Sequence, residues 1–216
     1  MEKTGLYSLF NQAQLFTIQQ RQRAVLKSMR CNGFYPLGEK RILELGCGSG
    51  GVLLETIGFG GTARNLHDAE LIFDRAQMAH HTLSSLTLTC ADGQNLPYST
   101  ASFDLSMQFT VLSSILGDEV KVNVAREMLR VTRLGGMILW YDFWLNPTNP
   151  QTRGIRPAEI RHLFPNCTYE FHKITLAPPL ARCIVPVSWM LALLLEKIKI
   201  VNSHYLVAIR KLPTEP

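Results

Sequence analysis

An apolar run, Ile42-Leu43-Glu44-Leu45, passes directly into Gly46-Cys47-Gly48-Ser49-Gly50-Gly51. Glycine is needed where a backbone takes a positive φ or passes close to a ligand. If the apolar run is a strand and residues 51–57 are a helix, the turn receives free helical N–H groups and the positive end of the helix dipole. Strand, glycine turn and helix then form a cradle for a small molecule at the carboxyl end of a strand, where open α/β sheets bind ligands. Gly46, Gly48 and Gly51 also satisfy the Gly-x-Gly-x-x-Gly pattern of dinucleotide-binding oxidoreductases, a weak signal when alone. Glu44 argues against that reading: a carboxylate there repels a pyrophosphate and suits a ligand carrying positive charge.

Acids recur further along, at Asp68 and Glu70 in Asn65-Leu66-His67-Asp68-Ala69-Glu70-Leu71 and at Asp92 in Cys90-Ala91-Asp92-Gly93. Each has a plainer explanation, since helix starts favour acids and Asp-Gly is a common turn. Trp140-Tyr141-Asp142-Phe143-Trp144 sets a carboxyl and a phenol among aromatics. Asp142 and Tyr141 are candidate catalytic groups, able to take a proton from an acceptor, with Phe143 and Trp144 as candidate walls of its pocket. The alternative is that these aromatics are core and that Asp142 caps the next loop. Five cysteines occur without a Cys-x-x-Cys pair or a Cys/His metal spacing. No metal site or disulfide framework is therefore expected, and reduced thiols fit a cytoplasmic protein.

The elements that must position these residues follow from the periodicity. Residues 1–40 read as a helical cap broken at Pro36 and Gly38. Short apolar runs then alternate with helical stretches: strands at 41–45, 64–67, 86–90, 103–108 and 136–141, and helices at 51–57, 74–82 and 119–131. Such alternation implies βαβ units and a parallel sheet covered on both faces. After a helix at 157–163, strands at 169–174 and 204–210 flank an apolar helical insertion at 178–199. The expected fold is α/β, a Rossmann-like doubly wound sheet of seven strands, mostly parallel with an antiparallel last strand. Residues 1–40 form its cap and 41–216 the binding domain. With 46% hydrophobic and 18% charged residues, a packed core is expected and disorder is not.

Glu44-x-Gly46-x-Gly48-x-Gly50 resembles the first motif of the class I S-adenosylmethionine-dependent methyltransferases. The resemblance covers residues 40–145 motif by motif. It implies that Gly46, Cys47, Gly48 and Gly50 pack on the methionine part of S-adenosylmethionine, with Glu44 helping to hold its amino group. An acid after the second strand holds the ribose diol, a task suited to a carboxylate accepting two hydrogen bonds. Glu70, beside Leu71, is preferred over Asp68 because Ala79 follows it at the family's usual interval; Asp68 stands where the family has glycine. Asp92, beside Gly93, would accept from the adenine amino group. Ser102-Phe103-Asp104 resembles the family's start of the fourth strand, placing Gln108 and Phe109 beside the methionine moiety. Leu134 replaces the proline of the family's Leu-x-Pro-Gly-Gly loop.

The resemblance leaves the acceptor open. No Asn-Pro-Pro-Tyr, Asp-Pro-Pro-Tyr or Pro-Cys segment follows the fourth strand, so nucleic-acid bases are disfavoured and a small molecule, sugar or lipid-linked acceptor is expected. Residues 1–41 carry seven Lys/Arg against two Asp/Glu, residues 42–150 six against eleven, and residues 151–216 nine against four. Basic flanks around an acidic centre are solvated surface or face an anionic partner. The longest apolar stretch, 184–195, is too short to span a bilayer, though contact with a membrane surface is open to it. Competing readings are a methyltransferase-like binding module without activity and the dinucleotide-dependent oxidoreductase.

Overall fold

The computed structural model describes residues 5, 7–84, 86, 89–146 and 149–212. Strands β1 (Ile42–Leu45), β2 (Leu66–Ala69), β3 (Phe103–Phe109), β4 (Thr132–Phe143), β5 (Cys167–Leu176) and β6 (Asn202–Lys211) form one sheet in the order β2-β1-β3-β4-β6-β5. β1 pairs in parallel with both β2 and β3, and β3 with β4, while β6 runs antiparallel to β4 and β5. The expected mostly parallel Rossmann-like sheet with an antiparallel last strand is present, with six strands among the described residues. Residues 87 and 88 of the expected strand at 86–90 lie outside the described residues; beside them Glu70 and Cys90 form one isolated parallel bridge.

Alternation along the strands builds the two layers. Ile42, Leu105, Met107, Met137, Leu139, Tyr141, Leu206 and Ala208 enter the core on one face. Leu43, Leu45, Ile138, Trp140, Val207 and Ile209 enter the core on the other. Phe103 shares the second face despite its odd number because the pairing with β4 shifts register between Phe103 and Leu105. Helix α1 (Gln12–Cys31) and helices α2 (Gly51–Gly58) and α3 (Phe73–Thr82) lie towards the first face, and α4 (Asp118–Val131) and α5 (Pro157–Leu163) towards the second.

Local chemistry sets several boundaries. Asn11 caps α1, its Oδ1 accepting from the Ala13 and Gln14 N–H groups at 3.0 and 3.3 Å. β2 begins at Leu66, two residues later than expected, because Ala63–Asn65 form a 3₁₀ turn. The insertion is two helices, α6 (Pro178–Ile184) and α7 (Trp189–Ile198), each with its own start: Pro178 in the first turn of α6 and Ser188 accepting from Leu191 N–H at 3.2 Å in α7. Phe16 of α1 meets Trp189 edge-on at 5.2 Å within a third, smaller core shared by α1, α6 and α7.

Candidate active site

β1 continues to β2 on one side and β3 pairs on its other side, so the chain diverges at the carboxyl end of β1. A crevice there is inherent in the topology. A cleft of about 900 Å³ occupies it, a size suited to a cofactor-sized ligand. The glycine turn forms its floor. Gly46, Gly48 and Gly50 take φ of 70°, 56° and 84°. A Cβ on Gly46 would stand 2.5 Å from Val111 Cγ2, whereas one on Gly48 would meet no atom within 4 Å. Gly50 turns away from the cleft, where a Cβ would strike Leu83 and touch Ala79.

The acids divide sharply by position. Glu44 lines the cleft, yet its side chain is only 1% exposed and Oε2 is buried without a hydrogen-bond partner among the described residues. Burial pushes its pKa up to about 8, against the pull of the Arg21 guanidinium and with help from Asp68, Glu55 and Glu70. Glu70 also lines the cleft: Oε2 accepts from Gly48 N–H at 2.9 Å and Oε1 from Ile72 N–H at 3.0 Å. These bonds fix the carboxylate beside the glycine turn while leaving each oxygen a further lone pair. Asp68 faces inward instead, taking the Cys47 S–H at 2.9 Å and the Thr89 N–H at 2.7 Å, and burial raises its pKa. Burial, together with Asp68, pushes the Cys47 thiol up, so this sulfur stays protonated. Asp92 lies exposed at the cleft rim, accepting from Gln94 N–H at 2.9 Å and Gln94 Nε2 at 3.2 Å. Leu71, Gly93 and Phe109 line the same space.

Besides Gly50, three of the expected site residues do not line the cleft. Gln108 is fully buried and its Oε1 accepts from Val111 N–H at 3.0 Å, tying down the loop after β3. Asp142 is fully buried behind that loop: Oδ2 accepts from Ser113 N–H at 3.0 Å and Oδ1 from Phe143 N–H at 2.8 Å. Burial raises its pKa to about 6, with the Ser113 hydrogen bonds opposing. Tyr141 shares its hydroxyl with Thr175 Oγ1 at 2.9 Å and stacks on His204 at 4.7 Å. Burial pushes the phenol up to about 12 and His204 down to about 3, leaving both neutral. Thr110, between Gln108 and the cleft, holds φ at 59°, a strained conformation for a β-branched residue at a ligand-facing turn.

Several cleft residues escape sequence reasoning. Arg21 reaches in from α1, its Nη2 on Glu55 Oε1 at 2.5 Å and its guanidinium over the rings of Phe109 and Tyr141 at 5.5 and 5.8 Å. Ile18 and Gln14 of the same helix face the cleft about one and two turns earlier. Helical spacing would have located Glu55, four residues beyond Gly51 on the face that already carries the turn. Nothing in the local pattern singles out Arg21 among the seven basic residues before the first strand. Helix α1 covers the cleft, whereas no residue of α6 or α7 lines it. Phe143 and Trp144, expected to wall it, instead line a separate cavity of about 210 Å³ with Pro178, Pro179, Leu180 and Ile200.

The sheet order, the glycine turn and the acids at the strand ends give a Rossmann-like fold with a ligand cradle at the carboxyl end of β1. Residues 43–140 match the family model of the methyltransferase domain. Two curated relatives follow. A sterol 4-C-methyltransferase of Caenorhabditis elegans is 28% identical over 133 residues, 57% of this chain and 38% of that protein. A phthiotriol/phenolphthiotriol dimycocerosates methyltransferase of Mycobacterium ulcerans is 34% identical over 120 residues, 52% of this chain and 40% of that protein. The chain thus matches about two fifths of the length of these relatives. Among solved structures, an S-adenosylmethionine-dependent methyltransferase from Methanosarcina mazei superposes with a TM-score of 0.61 at 15% identity, covering 84% of this chain and 97% of that one. The [4+2]-cyclase SpnF superposes with the same TM-score, 0.61, at 17% identity, covering 89% of this chain and 83% of that one. These likenesses establish the fold. A neighbour named as a cyclase underlines that the fold does not dictate one reaction.

Proposed function

We propose that the chain transfers the methyl group of S-adenosylmethionine to a small, largely apolar acceptor. The observation that carries this reading is Glu44: a buried carboxylate with one oxygen unpartnered, facing a cleft at the carboxyl end of β1. Such an oxygen calls for a cationic donor, and the cofactor's ammonium supplies one. The cleft presents Glu44, Glu55, Glu70 and Asp92 against Arg21 and Arg75. That excess of acid suits a ligand with an ammonium and a sulfonium and opposes a pyrophosphate.

When bound, S-adenosylmethionine supplies an already activated methyl group on a sulfonium. The chain's own residues then have to bind, orient and exclude water. Gly46 and Gly48 let the backbone approach the methionine part, Glu44 takes its ammonium, Glu70 the ribose diol and Asp92 the adenine amino group. Phe109, Ile18 and the aliphatic part of Arg21 wall the neighbouring space, where the acceptor would lie. Asp142 acts as a positioning residue, holding Ser113 and through it the loop of Thr110 and Val111, and Tyr141 supports Phe109 and Arg21 from below. The named acceptors of the two curated relatives, a sterol and phthiotriol/phenolphthiotriol dimycocerosates, favour a lipid-like acceptor with a neutral reacting group.

Transfer of radiolabelled methyl from S-adenosylmethionine to a panel of sterols, long-chain alcohols and sugars tests both parts of the proposal. Label in an organic-soluble product is the expected result. Binding of S-adenosylhomocysteine without label in any acceptor would leave the cofactor assignment standing and remove the acceptor class. Preferential binding of NAD would remove the assignment itself.

A further inference from the structure

Helix α7 carries apolar residues on both its body-facing and its solvent-facing sides. Its body-facing side carries Trp189, Ala192 and Glu196, with Leu193 and Leu195 partly buried against the same small core, a set that includes a carboxylate only 8% exposed. Asn202 Nδ2 holds Glu196 through its carbonyl at 2.9 Å and its Oε1 at 3.4 Å, and Lys199 Nζ reaches the same Oε1 at 3.4 Å. The solvent side carries Met190, Leu191, Leu194 and Ile198, flanked in the chain by Val187 and Ile200. Val187, Met190 and Ile200 are 82%, 69% and 77% exposed. These positions recur every three to four residues, so they form one stripe along the helix. A contiguous exposed aliphatic stripe of this kind marks a surface that meets something apolar.

The charge around the stripe says what covers it. Residues 177–200 contain Arg182, Lys197 and Lys199 against a single acid, the buried Glu196. Cations at both ends of an apolar stripe, with no exposed acid between them, complement a surface that is apolar inside and anionic at its rim. The first turns of α1 pack in the same small core as α6 and α7 through Ala13 and Phe16. Just ahead of them, Leu9 and the fully exposed Phe10 add apolar surface, and Tyr7 lines the large cleft. The apolar cavity lined by Leu180 and Ile200 opens beside the stripe, since both residues are exposed as well.

We infer that α7, with the segment at 7–10, lies on an anionic lipid bilayer: the stripe sinks into the headgroup boundary and Arg182, Lys197 and Lys199 meet the lipid phosphates. No helix among the described residues is long and apolar enough to cross a membrane, so the contact is peripheral. The inference rests on α7 and its neighbours alone and stands apart from the methyl-transfer reading.

Co-sedimentation of the full chain with vesicles tests it. One set is pure phosphatidylcholine and the other contains a third phosphatidylglycerol. The expected result is binding to the anionic vesicles, weakened by added salt and by the substitutions Arg182→Glu with Lys197→Glu. Met190→Glu with Leu194→Glu, both at exposed positions, lowers vesicle affinity by about tenfold or more. The circular-dichroism spectrum and thermal melt of that double variant match wild type, which shows that it folds. Absence of binding to either vesicle would overturn the inference, as would binding that the stripe substitutions leave untouched. A concentration-dependent dimer in light scattering, abolished by Met190→Glu with Leu194→Glu and accompanied by no vesicle binding, would assign the stripe to a second copy and overturn it equally.

Discussion

The two halves of the carboxyl edge of the sheet are built differently. Around β1 and β2, the cleft is defined by residues close together in the chain: the glycine turn directly follows Glu44, and Glu70 sits one residue beyond β2 with its carboxylate on Gly48 N–H. Around β3, β4 and β6, position is set by elements far apart: Arg21 from α1, Ser113 from a 3₁₀ turn and Thr175 from β5 converge on Phe109, Asp142 and Tyr141. The first half offers backbone donors and acids of fixed geometry, and the second offers stacked rings and buried neutral groups.

The comparison can be broken most directly on the β1 side. Gly46→Ala should lower affinity for S-adenosylhomocysteine by about 100-fold or more, because a Cβ would lie 2.5 Å from Val111 Cγ2 at a φ of 70°. Isothermal titration checks this, and near wild-type affinity would mean that the turn does not touch the ligand.

Next in size is Glu44→Gln, expected to cost about 10- to 100-fold in affinity through loss of a charge-assisted hydrogen bond. It also has a signature in stability. The folded chain holds the Glu44 proton up to about pH 8, whereas an unfolded glutamic acid releases it near 4.5. The stabilising contribution is therefore full below the unfolded value and is lost as pH rises through about 8. Denaturant melts should show wild type losing stability across that window and Glu44→Gln losing less. Identical pH profiles would place Glu44 in solvent.

On the other side, Asp142→Asn separates positioning from proton transfer. As a positioning residue it lowers kcat by about tenfold or less and stability by about 1–2 kcal/mol, with no pH limb lost near 6. Loss of about a thousandfold, together with that limb, is the signature of a general base and would move Asp142 into direct chemistry. The smallest expected effect is at the rim: Asp92→Ala should weaken binding by about fivefold, one exposed hydrogen bond's worth.

This asymmetry also explains what could be read from the chain. A glycine turn after an apolar strand is a local pattern, so the cradle, Glu44 and the order of elements are visible without coordinates. The choice of Glu70 over Asp68 rested on spacing, and the two side chains do point to different places, Glu70 into the cleft and Asp68 onto Cys47 and Thr89. Asp142 was legible as a strand-end acid, but not which face of β4 it occupies nor that the turn at Leu112–Ser114 seals it. Arg21 was invisible because its partners lie 34 and more residues away. The insertion read as one helix because apolar periodicity continues across Pro186, and Ser188 restarts the helix without interrupting it.

Glu44 is the proposed cationic-ligand site of the cleft. Calorimetric titration with S-adenosylhomocysteine, from pH 6.5 to 9 in two buffers of different ionisation heat, measures it directly. The claim predicts that binding releases close to one proton below about pH 8, that affinity rises by up to about tenfold per pH unit over that range, and that Glu44→Gln abolishes both effects. Tight binding with no proton release in wild type, or the same release in Glu44→Gln, would contradict it.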